Sequence, residues 1–227
     1  MTDADRFQET LVAAIEPWSL ALDPAQLEQL VLHYRAMVET NRTLNLTRVT
    51  DPVEAAVKLY ADSLALLPWI AEANLTITRI VDVGTGAGFP GFPLAVACPH
   101  WTVVALDARH KKVQFLAETA ERCGVSNLHA EHARAEEWTG SADFDIVTCK
   151  AVAALAACLD WSHHLLCPGG YLVAYKTNTV SPSEESEAAA TARRLAWSLR
   201  GHFVYRISHP SVSLDMALRI YRKLQYR

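Results

Sequence analysis

The sequence predicts an α/β protein: a doubly wound, mainly parallel seven-stranded sheet with an antiparallel last strand, preceded by N-terminal helices. Three observations predict it. From Thr76 onward, short runs of β-branched residues alternate with runs of helical period, the pattern of strand–helix–strand units that set parallel strands side by side. Four glycines fall within residues 84–91, directly behind the first of these runs. The last two strand candidates are joined only by a loop, so they pair antiparallel.

The first third reads as helix. Phe7, Leu11, Val12 and Ile15 recur at helical spacing. Asp23-Pro24 is a cap followed by proline at the first helical position, and Leu27, Leu30, Val31, Tyr34, Met37 and Val38 form the stripe behind it. "TNRTLNLTRVT" breaks that pattern. Asp51-Pro52 opens another helix with Val53, Ala56, Val57, Tyr60, Leu64 and Leu67 on one face, and Pro68 marks its end. In the second part, "ITRIVDV" is the first strand, followed by the glycine loop and the apolar helix "FPLAVAC". "WTVVALD" is the second strand, and "KKVQFLAETAERCG" is a helix closed by Gly124. "NLHAEHA" is the third strand. "FDIVTCKAV", entered through "GSAD", is the fourth. A helix from about Ala154 to Leu166 leads to the turn "CPGG" and the fifth strand "YLVAYK". "SPSEESEAAATARRLAWSLRG" reads as one long helix with a serine and glutamate start and a glycine stop. "HFVYRIS" and "ALRIYRKL" complete the sheet. The expected division is a helical extension over 1–75 packed on a ligand-binding domain over 76–227, or a single domain over 1–227.

The bulk numbers exclude several classes. The 227 residues are 51% hydrophobic and 20% charged, enough for a full core. No apolar run approaches the roughly 20 residues that span a bilayer. "MTDADRFQET" is polar and acidic, unlike a signal peptide, so a cytoplasmic protein without membrane contact is expected. Cys98, Cys123, Cys149, Cys158 and Cys167 contain no CxxC pair, and His163-His164 has no third ligand at metal spacing, so no metal site is expected. The formal net charge of −4 does not advertise nucleic-acid binding, although a local basic patch is invisible to the sum.

Each glycine in a cluster costs backbone entropy, and a ligand approaching the backbone closely explains that cost better than a bare tight turn. Two parses are open: Gly84-Thr85-Gly86-Ala87-Gly88 as GxGxG, or residues 86–91 as the dinucleotide fingerprint GxGxxG. Asp107 ends the second strand, 23 residues after Gly84, and can accept hydrogen bonds from ribose hydroxyls in either case. Phe89, Pro90, Phe92 and Pro93 crowd the turn, and its prolines remove the amide donors a pyrophosphate needs. Asp82 adds a second negative charge, which favours the amine and sulfonium of S-adenosylmethionine over a pyrophosphate.

At this point the chain resembles a known family. "DVGTGAGFPGFPLA", "LD" with "KK" four residues on, "RAEE", "FDIVTCKAVA" and "LLCPGGYLVAYK" are similar to the RsmG (GidB) family, as are "LNLTRVTDP" and "DSLALLP". The similarity covers most of the chain from Asn45 to Lys176. It implies a Rossmann-like class I methyltransferase that uses S-adenosylmethionine to methylate N7 of a guanine in 16S ribosomal RNA, with naked RNA or the small ribosomal subunit as partner. Carried over by position, Gly84, Gly86 and Phe89 line the cofactor pocket. Asp107, Ala108 and Arg109 hold the ribose and adenine side, and Ala135 and Glu136 border the adenine. Lys150 stands where the family usually has an arginine and is the candidate catalytic and substrate-contacting residue, also at the cofactor. Three positions depart from the family: Lys150 itself, Leu59 in place of a histidine three residues before the "DSL" aspartate, and "DMALRIYRK" in place of an "ERHL"-like stretch. Arginine and lysine are not interchangeable where a planar fork is needed.

Attack by guanine N7 needs no prior deprotonation, so positioning is most of the expected catalysis. Cys149 has no adjacent proline of the kind beside a nucleophilic cysteine and reads as packing. Arg42, Arg48 and Lys58, with Arg219, Arg222 and Lys223, form a candidate RNA-facing patch. Two other readings stay open: a methyltransferase of the same fold acting on a small molecule or protein, and an NAD-binding regulatory or redox domain. A monomer is the expected state.

Overall fold

The computed structural model describes residues 1–140 and 143–224. Ser141 and Ala142 of the "GSAD" stretch lie outside the described residues. The seven strands are β1 (Arg79–Val83), β2 (Thr102–Asp107), β3 (Leu128–His132), β4 (Phe144–Lys150), β5 (Leu166–Thr177), β6 (Trp197–His209) and β7 (Val212–Lys223). They form one sheet in the order β3-β2-β1-β4-β5-β7-β6. The pairs from β3 to β5 are parallel, and β7 is antiparallel to both β5 and β6. The expected fold class is therefore present, with two antiparallel pairings at one side of the sheet.

Nine helices flank the sheet among the described residues: α1 (Asp3–Ile15), α2 (Pro24–Leu44), α3 (Pro52–Ala55), α4 (Asp62–Leu64), α5 (Leu66–Glu72), α6 (Gly91–Ala97), α7 (His110–Arg122), α8 (Leu155–Ser162) and α9 (Pro182–Arg194). The caps are those expected. Asp23 accepts from the Gln26 backbone, with proline at the first position of α2, and Asp51 caps α3 in the same way. Between α3 and α4 the chain widens into a π-helical turn, Ala56–Ala61.

The two-residue period of the strands divides the core. Ile80, Val103, Ala105 and Ile146 face one cluster, which also holds Phe7, Leu11, Leu30, Tyr60 and Leu64 of the N-terminal helices. Val81, Val104, Val147 and Leu172 face the other, under α8 and α9. The N-terminal helices thus share one core with the sheet. Gln26 Nε2 donates to the Val96 carbonyl at 2.8 Å and Gln29 Nε2 to that of Cys123 at 3.0 Å. His33 is the deepest of these ties. It is fully buried, with Nε2 donating to the Ala87 carbonyl at 2.9 Å and Nδ1 accepting from the Tyr60 hydroxyl at 2.5 Å. Its ring stacks on Phe92 at 4.0 Å.

Several boundaries differ from expectation. The long helix stops at Arg194, not at Gly201. Ala196 takes a positive φ of 55°, and Trp197 turns into the second core and pairs with Lys223, so tertiary packing overrides the helix propensity of "LAWSLRG". "CPGG" lies within β5, where the register against β4 shifts, so it is an irregularity of the strand. Pro68 sits in the first turn of α5, where a proline is tolerated, and α2 continues to Leu44 through the start of "TNRTLNLTRVT". The fourth strand ends at Lys150, and the following helix spans only Leu155–Ser162.

Burial holds the His33 pKa down at about 3, so the folded chain keeps the ring neutral. Replacing His33 by Phe keeps the stacking but leaves the Ala87 carbonyl and Tyr60 hydroxyl unpaired. The expected cost at pH 8 is about 1–3 kcal/mol by urea unfolding. Between about pH 3 and the ordinary histidine value of 6.5, the unfolded wild type binds a proton that the folded form lacks. Wild-type stability therefore falls as the pH drops through that window. His33→Phe lacks this component, so the gap between the two proteins should narrow on acidification.

Candidate active site

In a doubly wound sheet the ligand crevice lies beyond the carboxyl ends of the strands where the order reverses, here between β1 and β4. The glycine loop begins at that point. Gly84, Gly86 and Gly88 all take positive φ, at 72°, 62° and 106°. The loop closes on itself. Gly84 N and Thr85 N donate to the Leu106 carbonyl at 2.8 and 3.0 Å. Gly88 N and Phe89 N donate to the Thr85 carbonyl at 2.9 and 2.8 Å. Gly86 N donates to Asp107 Oδ2 at 2.9 Å, and Gly91 N to Asp82 Oδ2 at 2.9 Å. These six amides are spent within the protein and Pro90 has none, which removes most of the donors a pyrophosphate cradle needs.

A crevice opens in front of this loop. It is lined by Val83, Gly84, Leu106, Asp107, Ala108, Ala133, Arg134, Ala135, Glu136, Val152 and Trp161. Of the expected cofactor residues, Gly84, Asp107, Ala108, Ala135 and Glu136 come together there. Apolar walls from Leu106, Ala108, Ala135, Val152 and Trp161 suit a flat ring. Asp107, at the end of β2, spends one lone pair of each oxygen on Gly86 N and Arg109 N, at 2.9 and 2.8 Å. A carboxylate oxygen accepts more than one hydrogen bond, so Asp107 still has capacity for a diol.

The other expected residues lie elsewhere. Asp82 is 0% exposed and does not face the crevice. The strand period turns it under α6, where it accepts from Gly91 N and from Thr148 Oγ1 at 3.0 Å, and burial raises its pKa to about 6. It braces the loop from below. Gly86 also lines no wall: a Cβ there would touch Lys112 Nζ at 3.7 Å and the Gly84 carbonyl at 3.9 Å. Phe89 is buried edge-on against Tyr60 and His33, at 5.0 and 5.5 Å, inside the helical layer. Arg109 contributes its backbone amide to Asp107 and stands at the N-cap of α7. Val83, Leu106, Ala133, Arg134, Val152 and Trp161 were not foreseen. Val83, Leu106, Arg134 and Val152 stand within the quoted motifs without having been assigned a role, but no sequence signal marks Trp161.

Lys150 does not line the crevice. Its Nζ lies 3.0 Å from Asp62 Oδ2 and donates to the Lys58 carbonyl at 3.3 Å, within the π-helical turn. The side chains of Lys150 and Asp62 are 12% and 2% exposed, so this is a buried ion pair. Tyr205 donates to Asp62 Oδ1 at 2.5 Å, and Tyr175 to the Ser63 carbonyl at 2.8 Å. Cys149, beside Lys150, is buried. Its hydrogen bond with Cys158 and its burial push the thiol pKa well up, which fits packing and not nucleophilic attack.

The basic patch is smaller than expected. Arg42 and Arg48 are exposed, and Lys58 is paired with Glu54. Arg219 is only 5% exposed. It pairs with Glu185 at 3.4 Å and contacts His202, because β7 is an interior strand covered by α9. Arg222 bonds to the Gly169 carbonyl and lies over Tyr171, and Lys223 bonds to the His163 and Leu166 carbonyls. Both stand at the amino end of β5, remote from the crevice. Among the described residues, no group of three His, Cys, Asp or Glu is placed to hold a metal, and no helix is long and apolar enough to cross a membrane.

The sequence pattern of the family described as rRNA small subunit methyltransferase G matches residues 26–207. A ribosomal RNA small subunit methyltransferase G from Cupriavidus necator is 33% identical over 226 residues, covering 96% of this chain and 95% of its own. One from Solibacter usitatus is 35% identical over 196 residues, covering 86% and 87%. In fold the chain is similar to an S-adenosylmethionine-dependent methyltransferase from Methanosarcina mazei, with a TM-score of 0.54 at 14% identity over 69% of this chain and 98% of that one. It is also similar to the N-methyltransferase NodS from Bradyrhizobium japonicum, with a TM-score of 0.52 at 13% identity over 72% and 94%.

A methyl group at Gly84 would run into Val152 Cγ2 and Cβ, at a φ that L residues rarely adopt. Gly84→Ala should destabilise the protein by about 1–3 kcal/mol in urea unfolding. Adding Val152→Ala should recover the part due to the collision and leave the part due to φ.

Proposed function

The chain belongs to the rRNA small subunit methyltransferase G family, and on that premise we propose that its crevice holds S-adenosylmethionine and presents the methyl group to N7 of a guanine in 16S ribosomal RNA. The observation that carries this reading is the loop itself: Gly84 lines the crevice in front of it, while six of the loop's amides are spent on Leu106, Thr85, Asp82 and Asp107. That combination suits a nucleoside without phosphate and speaks against an NAD-binding domain.

Asp107 would hold the ribose, and Ala108, Ala135 and Glu136 would flank the adenine. Gly84 would pass under the methionyl part, while Gly86, Arg109 and Asp82 act behind them by fixing the loop and its neighbour. The bound cofactor supplies an electrophilic methyl on a sulfonium: the N7 lone pair makes the new carbon–nitrogen bond, the carbon–sulfur pair stays on sulfur, and the base becomes cationic. No proton moves, so the protein's task is to place the base and keep water out, which effective-molarity comparisons put at roughly 7–11 kcal/mol. The base would come in over Lys150. The exposed Arg42 and Arg48, with Lys58, would rest on the RNA backbone. N7 inside a stacked A-form helix lies in a deep, narrow groove, so the target guanine is one exposed in a loop.

The test offers small-subunit particles from a strain lacking this enzyme, with labelled donor, and maps the modified base. Label on N7 of a 16S guanine is the expected result. Tight cofactor binding with no label on any particle would remove the RNA substrate. Asp107→Asn keeps one acceptor oxygen and should raise the Kd for S-adenosylhomocysteine about 10- to 100-fold by calorimetry, the range for a lost hydrogen bond to a charged group. Arg48→Glu should weaken particle binding and flatten its salt dependence while leaving that Kd unchanged.

A further inference from the structure

The structure points to a guanine-reading device that the crevice residues alone do not provide: we propose that Lys150, held by Asp62 and Tyr205, donates one hydrogen bond to O6 of the target base and so selects guanine over adenine. This rests on the reading of the site given above.

The strand order sets the layout. Asp107 and the adenine walls belong to β2 and the segment after β3, and Gly84 follows β1. A ligand lying from Ala135 to Gly84 therefore points its reactive end toward the neighbour of β1 on the other side, which is β4. Val83 pairs with Cys149 in that ladder, so Lys150 stands beside Gly84 at the same level of the sheet. Lys150 is thus the polar residue at the β4 strand end next to Gly84, on the side toward which a ligand lying from Ala135 to Gly84 would point.

An ammonium has three hydrogens. The structure gives Lys150 two acceptors among the described residues, Asp62 Oδ2 at 3.0 Å and the Lys58 carbonyl at 3.3 Å. One hydrogen remains, on a side chain that is still 12% exposed. Next to N7, guanine carries the acceptor O6 and adenine carries an amino donor. A donor fixed at this place accepts the first base and meets a second donor in the other.

The restraint on Lys150 matters as much as its charge. A mobile lysine beside a guanine bonds to O6 and N7 together, the commonest specific contact to that base. Here such a contact would occupy the lone pair that must attack. Asp62 and the Lys58 carbonyl hold the ammonium so that a single hydrogen is left, and N7 stays free. Asp62 also neutralises Lys150 next to a base that acquires positive charge. Asp62 is itself fixed: Tyr205 donates to its second oxygen, and Tyr175 ties down the neighbouring Ser63 carbonyl. Burial, with the Asp62 charge beside it, holds the Tyr205 hydroxyl pKa far above its ordinary value, so it remains a donor. Lys150 is the residue that touches substrate, and Asp62 and Tyr205 are positioning residues.

The test uses the full chain and small-subunit particles reconstituted with guanine, inosine or 2-aminopurine at the methylated position. Inosine keeps O6, whereas 2-aminopurine keeps N7 and carries hydrogen in place of O6. Wild type should methylate guanine and inosine at similar kcat/KM and 2-aminopurine about 10- to 100-fold less well, as for losing one hydrogen bond to a charged donor. In Lys150→Met the guanine to 2-aminopurine ratio should collapse toward the ratio set by the bases' own nucleophilicity, while Lys150→Arg should retain the wild-type ratio. A ratio measured on one preparation does not depend on how much of it is folded, so the loss of the buried ion pair does not blur the result. Asp62→Asn and Tyr205→Phe should lower kcat on guanine with little change in KM or in the Kd for S-adenosylhomocysteine. An undiminished ratio in Lys150→Met would overturn the proposal. If wild type labels no guanine in any particle, the reading of the reaction fails first and this inference with it, a result visible before any variant is made.

Discussion

Two carboxylates at the ends of adjacent strands hold the glycine loop. Asp82, the fourth residue of β1, takes the Gly91 amide from beneath, and Asp107, the last of β2, takes the Gly86 amide from the side. Between them the Leu106 and Thr85 carbonyls take four more amides. A loop of this kind usually turns its N–H groups outward to an anion. Here six of them face inward, and what remains for a ligand is chiefly space, apolar wall and a negative edge. The ligand class follows from that inversion more than from the glycines, which both parses of the loop share.

The same loop couples the two layers of the molecule. His33 reaches from α2 to the Ala87 carbonyl and shares Tyr60 with the π-helical turn that carries Lys58. Phe89 leaves the loop and packs into that aromatic cluster. Helix α2, which bears Arg42 and leads into the loop that carries Arg48, is therefore anchored to the backbone of the glycine loop. Across the sheet, the path from Ala135 through Asp107 and Gly84 to Lys150 follows the strand order β3-β2-β1-β4. In the binding mode proposed above, adenine, ribose, methyl group and target base would follow one another along that path.

Much of this was readable from residues. Alternating strand and helix periods placed all seven strands; Asp107 stood out by its strand-end position, while Gly84, Ala108, Ala135 and Glu136 came from the family resemblance, and the five line one crevice. Asp82 was misplaced because its charge was weighed without its face. Alternation from Ile80 puts it on the side covered by α6. Phe89 and Arg219 were assigned to ligand surfaces, but one fills the helical layer and the other lies under α9. Both depend on packing between distant segments, which spacing does not report. The same holds for Trp161 in the crevice wall and for the Lys150–Asp62 pair, whose members lie in different layers of the fold. The helix drawn through "LAWSLRG" failed because pairing of Trp197 with Lys223 outweighs local propensity.

The central claim is that an inward-facing glycine loop with Asp107 at its edge takes a nucleoside sulfonium and refuses a dinucleotide. Titration calorimetry of the purified protein against S-adenosylhomocysteine, S-adenosylmethionine and NAD measures this directly. The expected result is saturable heat with the first two, lost in part in Asp107→Asn, and none with NAD. Saturable heat with NAD and none with either sulfur nucleoside would contradict it.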